Sequence, residues 1–196
     1  MLMKAAMLAA FIAASAPAAR AAGNVEAGRE KAQLCANCHG AAGISAIAGV
    51  PTLAGNLDAF LQWQMVFYRS ERRKNPVMGA ISALLSDEDV RNLGAYYASL
   101  APDTRPLPPD PKPDLASRGS EVAQEHRCAN CHTDEFTGKQ GAARLARQRE
   151  EYVVKSLTEY RSGQRPSTGV AAMTEAAAGL QDDEIAALAH YLAMLP

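Results

Sequence analysis

The sequence predicts an all-α protein built as two tandem copies of one helical unit, and three observations lead there. The five-residue word Cys35-Ala36-Asn37-Cys38-His39 returns as Cys128-Ala129-Asn130-Cys131-His132, and the two words use every cysteine in the chain. Sliding the sequence against itself at an offset near 93 residues aligns more than these words. Leu53-Ala54 meets Leu145-Ala146, Tyr68-Arg69-Ser70 meets Tyr160-Arg161-Ser162, and Leu85-Ser86-Asp87-Glu88-Asp89 meets Leu180-Gln181-Asp182-Asp183-Glu184. Third, apolar residues recur at the period of a helix in both halves, and no alternating strand run stands out.

Taken in order, residues 1–22 read as a secretory signal peptide: Lys4, an apolar run from Ala5 to Ala19 too short for a comfortable membrane span, and small residues at Ala19 and Ala21 that suit cleavage near Ala21 or Ala22. The first unit, 23–100, opens a helix near Asn24 that runs into the first cysteine word. Its middle helix is expected to open at Asn56, an N-cap residue type, and to align Leu57, Phe60, Leu61, Met65 and Tyr68. Its last helix starts at Ser86, with Asp89 three residues on as a capping box. Residues 101–119 carry six prolines and read as an extended, semi-rigid connector. The second unit, 120–196, repeats the pattern with Tyr152, Val153, Leu157 and Tyr160, then Ile185, Leu188, Leu192 and Leu195.

The word C-x-x-C-H is the attachment site of a covalent c-type haem. Residues i, i+3 and i+4 share one helix face, so two thiols can bond the haem edge while the next imidazole meets the iron. A redox dithiol or a zinc site are the competing readings. The first wants a β-α-β setting, and the second does not require His directly after the second Cys in both copies. The chain is therefore expected to hold two haem c groups, on Cys35 and Cys38 and on Cys128 and Cys131, with His39 and His132 as one axial ligand each. Units of about 75 residues are marginal by burial alone, so each haem is expected to complete its unit's core.

The opposite axial position has four methionines and two histidines to choose from outside the signal peptide. Helix geometry puts His126 and His190 on outer faces, as surface histidines. Met65 lies on an apolar stripe and Met194 near the chain end. Met78 and Met173 stand in sequence punctuated by Pro and Gly, each eight residues before the start of its unit's last helix, and these two are expected to be the thioether ligands. The alternative for both is packing. A His/Met pair closes the iron and raises its potential relative to two histidines, which favours electron transfer over bond-making chemistry.

Without residues 1–22 the chain carries 18 basic against 21 acidic side chains, a formal charge of −3, and this disfavours nucleic-acid binding. No G-x-G-x-x-G or G-x-S-x-G motif offers separate catalytic machinery. A di-haem enzyme such as a peroxidase, with one iron able to open, is the competing function.

Together the paired words, Pro51-Thr52-Leu53-Ala54-Gly55, Asn75-Pro76-Val77-Met78 and Leu85-Ser86-Asp87-Glu88-Asp89 resemble the two-domain, di-haem cytochromes c of the cytochrome c4 family. The resemblance covers essentially all of the mature chain. It implies two cytochrome c folds about a pseudo-twofold axis, and an electron carrier of a bacterial periplasm. It further implies redox protein partners, such as a membrane respiratory complex, an oxidase or a periplasmic dehydrogenase, met at or near the membrane surface. It also implies that the Pro51 carbonyl holds the second nitrogen of His39. The second half departs from the pattern: Thr133 replaces the glycine after the word, and Ala143 stands in place of Pro51. The two haems are therefore expected to differ in potential.

Overall fold

The computed structural model describes residues 22–103, 105–107, 111–139, 141–167 and 172–196. The signal-peptide reading, on residues 1–22, lies outside the described residues except for its last position. Among the described residues all regular structure is helical.

Helix α1 (Val25–Lys31) starts where Asn24 accepts the N–H groups of Glu26 and Ala27, which would otherwise lack partners. A 3-10 segment, Ala32–Cys35, carries the chain into the short helix α2 (Ala36–His39). Next come α3 (Asp58–Arg69), α4 (Pro76–Ala83) and α5 (Asp87–Ser99). Ser86 and Asp89 form the expected capping box at the start of α5. The second series is α6 (Pro113–Glu125), α7 (Ala129–His132), α8 (Glu150–Arg161), α9 (Ala172–Ala177) and α10 (Asp182–Met194). Two apolar cores result, one around Leu61, Val90, Leu93 and Tyr97, the other around Val122, Val153, Ile185 and Leu188.

Each core is closed by its first and last long helices crossing at a glycine. A methyl group on Gly28 would stand 2.0 Å from the Asn92 carbonyl oxygen, and one on Gly119 would stand 2.1 Å from that of Ala187. Both obstacles are helix backbone and cannot swing aside. Gly28→Ala is thus expected to destabilise the holoprotein by about 2 kcal/mol or more, read as a lower denaturant midpoint.

Three sequence expectations change here. Asn56 does not cap the middle helix. The helix begins at Asp58, and the Asn56 Oδ1 accepts from the backbone N–H of Leu57 and, across the molecule, from that of Arg144 at 3.1 Å. The connector is shorter than its proline content implied, because Pro113 is the first residue of α6, where a missing N–H costs nothing. Finally, His190 is buried, 3% exposed, not on the surface. Its Nδ1 meets the Glu150 carboxylate at 3.0 Å and its Nε2 accepts from the Lys112 N–H at 3.3 Å, so polar partners let it sit inside.

The two helical series meet across a polar seam. Arg73 and Arg165 both donate to Gln64 Oε1, at 2.7 and 3.1 Å, and both reach the Tyr152 hydroxyl. They stack over Tyr68 and Tyr160 with the guanidinium carbon 4.6 and 4.5 Å from each ring centre. The connector is pinned to this seam: Arg105 pairs with the buried Asp103 and donates to the Ser45 carbonyl, and Arg147 donates to the carbonyls of Asp103 and Arg105.

Candidate haem-binding sites

The structure brings Cys35, Cys38 and His39 together on one continuous turn, and Cys128, Cys131 and His132 on another. None of the four cysteines is paired in a disulfide; Cys38 and Cys131 are exposed, Cys35 and Cys128 half-buried. Burial pushes the Cys35 and Cys128 thiols up. In the first unit the 3-10 segment leads directly into the word. In the second, Arg127 takes a left-handed φ of 53° between α6 and Cys128.

His39 and His132 are both 6% exposed. His39 Nδ1 lies 2.9 Å from the Pro51 carbonyl oxygen and His132 Nδ1 lies 2.8 Å from that of Ala143. A carbonyl can only accept, so Nδ1 carries the proton and Nε2 keeps its lone pair. Burial holds both imidazoles below the usual histidine range, against the opposing pull of those carbonyls. A neutral ring with one nitrogen fixed and the other free is what an iron ligand requires. The Ala143 carbonyl does this work without a proline.

Thr133 adopts φ 69°, ψ 164° where Gly40 has φ 81°, ψ 150°. That region is costly for a side-chain-bearing residue. Its hydroxyl offsets part of the strain by accepting from Thr137 N at 3.1 Å and sharing a hydrogen bond with the Thr137 hydroxyl.

Met78 and Met173 are not in loops, as the punctuated sequence suggested. Met78 is the third residue of α4, its N–H donating to the Asn75 side chain at 2.9 Å, and Met173 is the second residue of α9. Pro76 stands in the first turn of α4, where proline starts a helix and does not interrupt one. Both methionines are half-buried, and Met173 also touches the second core. Met65 packs against the first core, as expected of filler.

The chain's unmet polar groups bear on whether haem fits. Among the described residues the buried side-chain atoms without partners are the Ser82 and Ser156 hydroxyls, Gln64 Nε2 and the Nε atoms of Arg144, Arg149 and Arg165. The four nitrogens are donors without acceptors. Arg73 and Arg165 are 5% and 3% exposed; the carboxylate of Glu159 reaches Arg73 at 3.8 Å, and among the described residues none pairs with Arg165. Burial would raise the Tyr152 phenol, but Arg165 and Arg73 outweigh it and hold it below the usual tyrosine range. An excess of buried cationic donors suits the carboxylates a haem carries as propionates. Among the described residues no three His, Cys, Asp or Glu side chains converge as a metal site of their own. The buried cationic donors therefore fit a haem and its propionates.

Sequence reasoning passed over Gln64, Arg73, Gln148 and Arg165. The repeat offset held a signal: Arg73 and Arg165 are 92 residues apart, as are Asn56 and Gln148.

Two helical units, each with a C-x-x-C-H turn and a buried, carbonyl-fixed histidine, define a tandem c-type cytochrome. The family model for cytochrome c matches residues 116–196. Over 180 residues the chain is 33% identical to cytochrome c4 of Pseudomonas aeruginosa, covering 89% of this chain and 90% of that one. It is 34% identical to a thiosulfate dehydrogenase electron acceptor of Stutzerimonas stutzeri, covering 83% and 79% respectively. The crystal structure of reduced cytochrome c4 from Pseudomonas stutzeri superposes with a TM-score of 0.82 at 28% identity, over 89% of this chain and all of that one. A thiosulfate dehydrogenase from Marichromatium purpuratum superposes with a TM-score of 0.78 at 31% identity, over 88% of this chain and 40% of that one. The chain belongs to the cytochrome c4 family. It is a di-haem electron-transfer protein.

Proposed function

We propose that Cys35 and Cys38 hold one haem and Cys128 and Cys131 the other, with His39 and Met78, and His132 and Met173, as the axial pairs. The observation that carries this reading is the neutral imidazole at the end of each word, Nδ1 fixed on a carbonyl and Nε2 left free. Each haem, when bound, supplies an iron that accepts and releases one electron. The residues hold the imidazoles neutral, keep them from rotating, and exclude water from the ring. Gln64, Arg73 and Arg165 at the seam would receive propionates. The proposed division is a first unit ending near Ser99 and a second beginning at Pro113.

The working compartment proposed is the periplasm, reached by way of the signal peptide read in residues 1–22. Among the described residues no helix is long and apolar enough to cross a membrane. The proposed partners are redox proteins, with a periplasmic dehydrogenase as donor favoured by the two relatives named as thiosulfate dehydrogenase electron acceptors. An optical redox titration of the holoprotein, repeated with carbon monoxide on the reduced form, tests the axial assignment. Two low-spin haems at relatively high potential that ignore carbon monoxide are expected. A haem that binds it would remove Met78 or Met173 as a permanent ligand and restore the peroxidase-like alternative.

A further inference from the structure

The peptide group that holds each candidate proximal histidine is itself held by the other unit. His39 bonds the carbonyl of the Pro51–Thr52 peptide, and the N–H of that same peptide donates to Gln148 Oε1 at 2.8 Å. His132 bonds the carbonyl of the Ala143–Arg144 peptide, whose N–H donates to Asn56 Oδ1 at 3.1 Å. Gln148 precedes α8 in the second series, and Asn56 precedes α3 in the first, so the two links cross the seam in opposite directions. They match in detail. Each amide oxygen takes a second N–H from the next residue of its own chain segment, Arg149 at 3.0 Å and Leu57 at 3.0 Å. Thr52, Gln148 and Asn56 are 5%, 7% and 5% exposed, and Arg144 is half-buried.

A peptide is a resonant unit, and a hydrogen bond taken from its N–H moves electron density onto its carbonyl oxygen. A more negative oxygen draws harder on the imidazole Nδ1–H and makes Nε2 a stronger donor toward iron. A stronger donor favours the oxidised metal. We propose that Gln148 and Asn56 are reciprocal positioning residues, each polarising the peptide that orients the other unit's proximal histidine, so that each unit sets part of its neighbour's reduction potential. The coupling is unequal. Gln148 Nε2 also donates to the Thr52 carbonyl at 2.9 Å, clamping that residue on both sides, whereas among the described residues Asn56 provides an acceptor alone. The first unit is therefore held more firmly by the second than the reverse.

This rests on His39 and His132 being iron ligands, which NMR of the unaltered, reduced holoprotein checks first. Haem-shifted ring resonances of His39 and His132 are expected, and their absence would remove the ligand reading itself. The inference is then tested in the holoprotein with Gln148→Leu and Asn56→Leu, following each haem's midpoint and each histidine's Nδ1–H resonance. With Gln148→Leu, the first haem alone is expected to become easier to reduce. Its reduced-to-oxidised ratio at a fixed potential should rise on the order of tenfold, ~59 mV for one electron, with movement of the His39 Nδ1–H signal. Asn56→Leu should do the same, more weakly, to the second haem and His132. Shifts confined to the mutated unit, equal shifts in both haems, or unmoved midpoints in correctly loaded protein would each overturn the proposal. If Gln148→Leu fails to load haem, Asn56→Leu decides by the same criteria.

Discussion

Replacing Met78 with alanine is expected to convert the first iron from a closed to an open centre. The reduced variant should bind carbon monoxide at one haem of two, and that haem's potential should fall toward the range of histidine-only ligation, because the thioether stabilises reduced iron. The larger consequence is a change of class: a carrier becomes a protein with one accessible iron. Asn75 bonds the Met78 N–H and lies outside the substitution, so α4 should keep its start. Met173→Ala should give the corresponding result at the second haem. An unchanged spectrum after Met78→Ala would pass the ligand role to another residue, with Met65 the first to test.

The second large effect concerns folding. Cys128→Ala with Cys131→Ala removes both thioether bonds of the second unit, and the exported protein should carry half the haem. The second core has Val122, Ile185 and Leu188 fully buried, yet a unit of this size is marginal on apolar burial alone. Its thermal transition should broaden and move well below that of the first unit, with circular dichroism following both units and the absorbance of the remaining haem reporting the first. A sharp transition near the parent's would mean that the helices fold without the cofactor.

What the sequence made legible follows from how local the physics is. Covalent attachment fixes two cysteines and a histidine at three- and four-residue spacing, so both words could be read outright. Asn24 and the Ser86/Asp89 pair were also readable, because a cap satisfies N–H groups within three residues of itself. Asn56 has the same residue type and a different job: its oxygen serves Arg144, 88 positions away, and nothing local tells the two uses apart. His190 misled for a related reason. A helix-face argument from Leu188 takes one face as buried, but α10 is covered by α6 on one side and approached by Glu150 and Lys112 on another. Pro76 and Pro113 were read as interruptions because proline forbids helix interiors, though the same ring suits the first turn. Arg73 and Arg165 escaped because an arginine ordinarily faces solvent, and only the fold buries them.

The crossings at Gly28 and Gly119 bear on how such a chain could have arisen. In each unit the first long helix lies against the last, so the polypeptide leaves near the place where it entered. A second copy can then be appended without threading through the first or disturbing either core. The join needs only a short strap, and the few residues between Ser99 and Pro113 meet that need. Gene duplication thus starts from a module whose ends already meet. What selection had to add was the polar seam, turning two neighbours on one string into a single instrument.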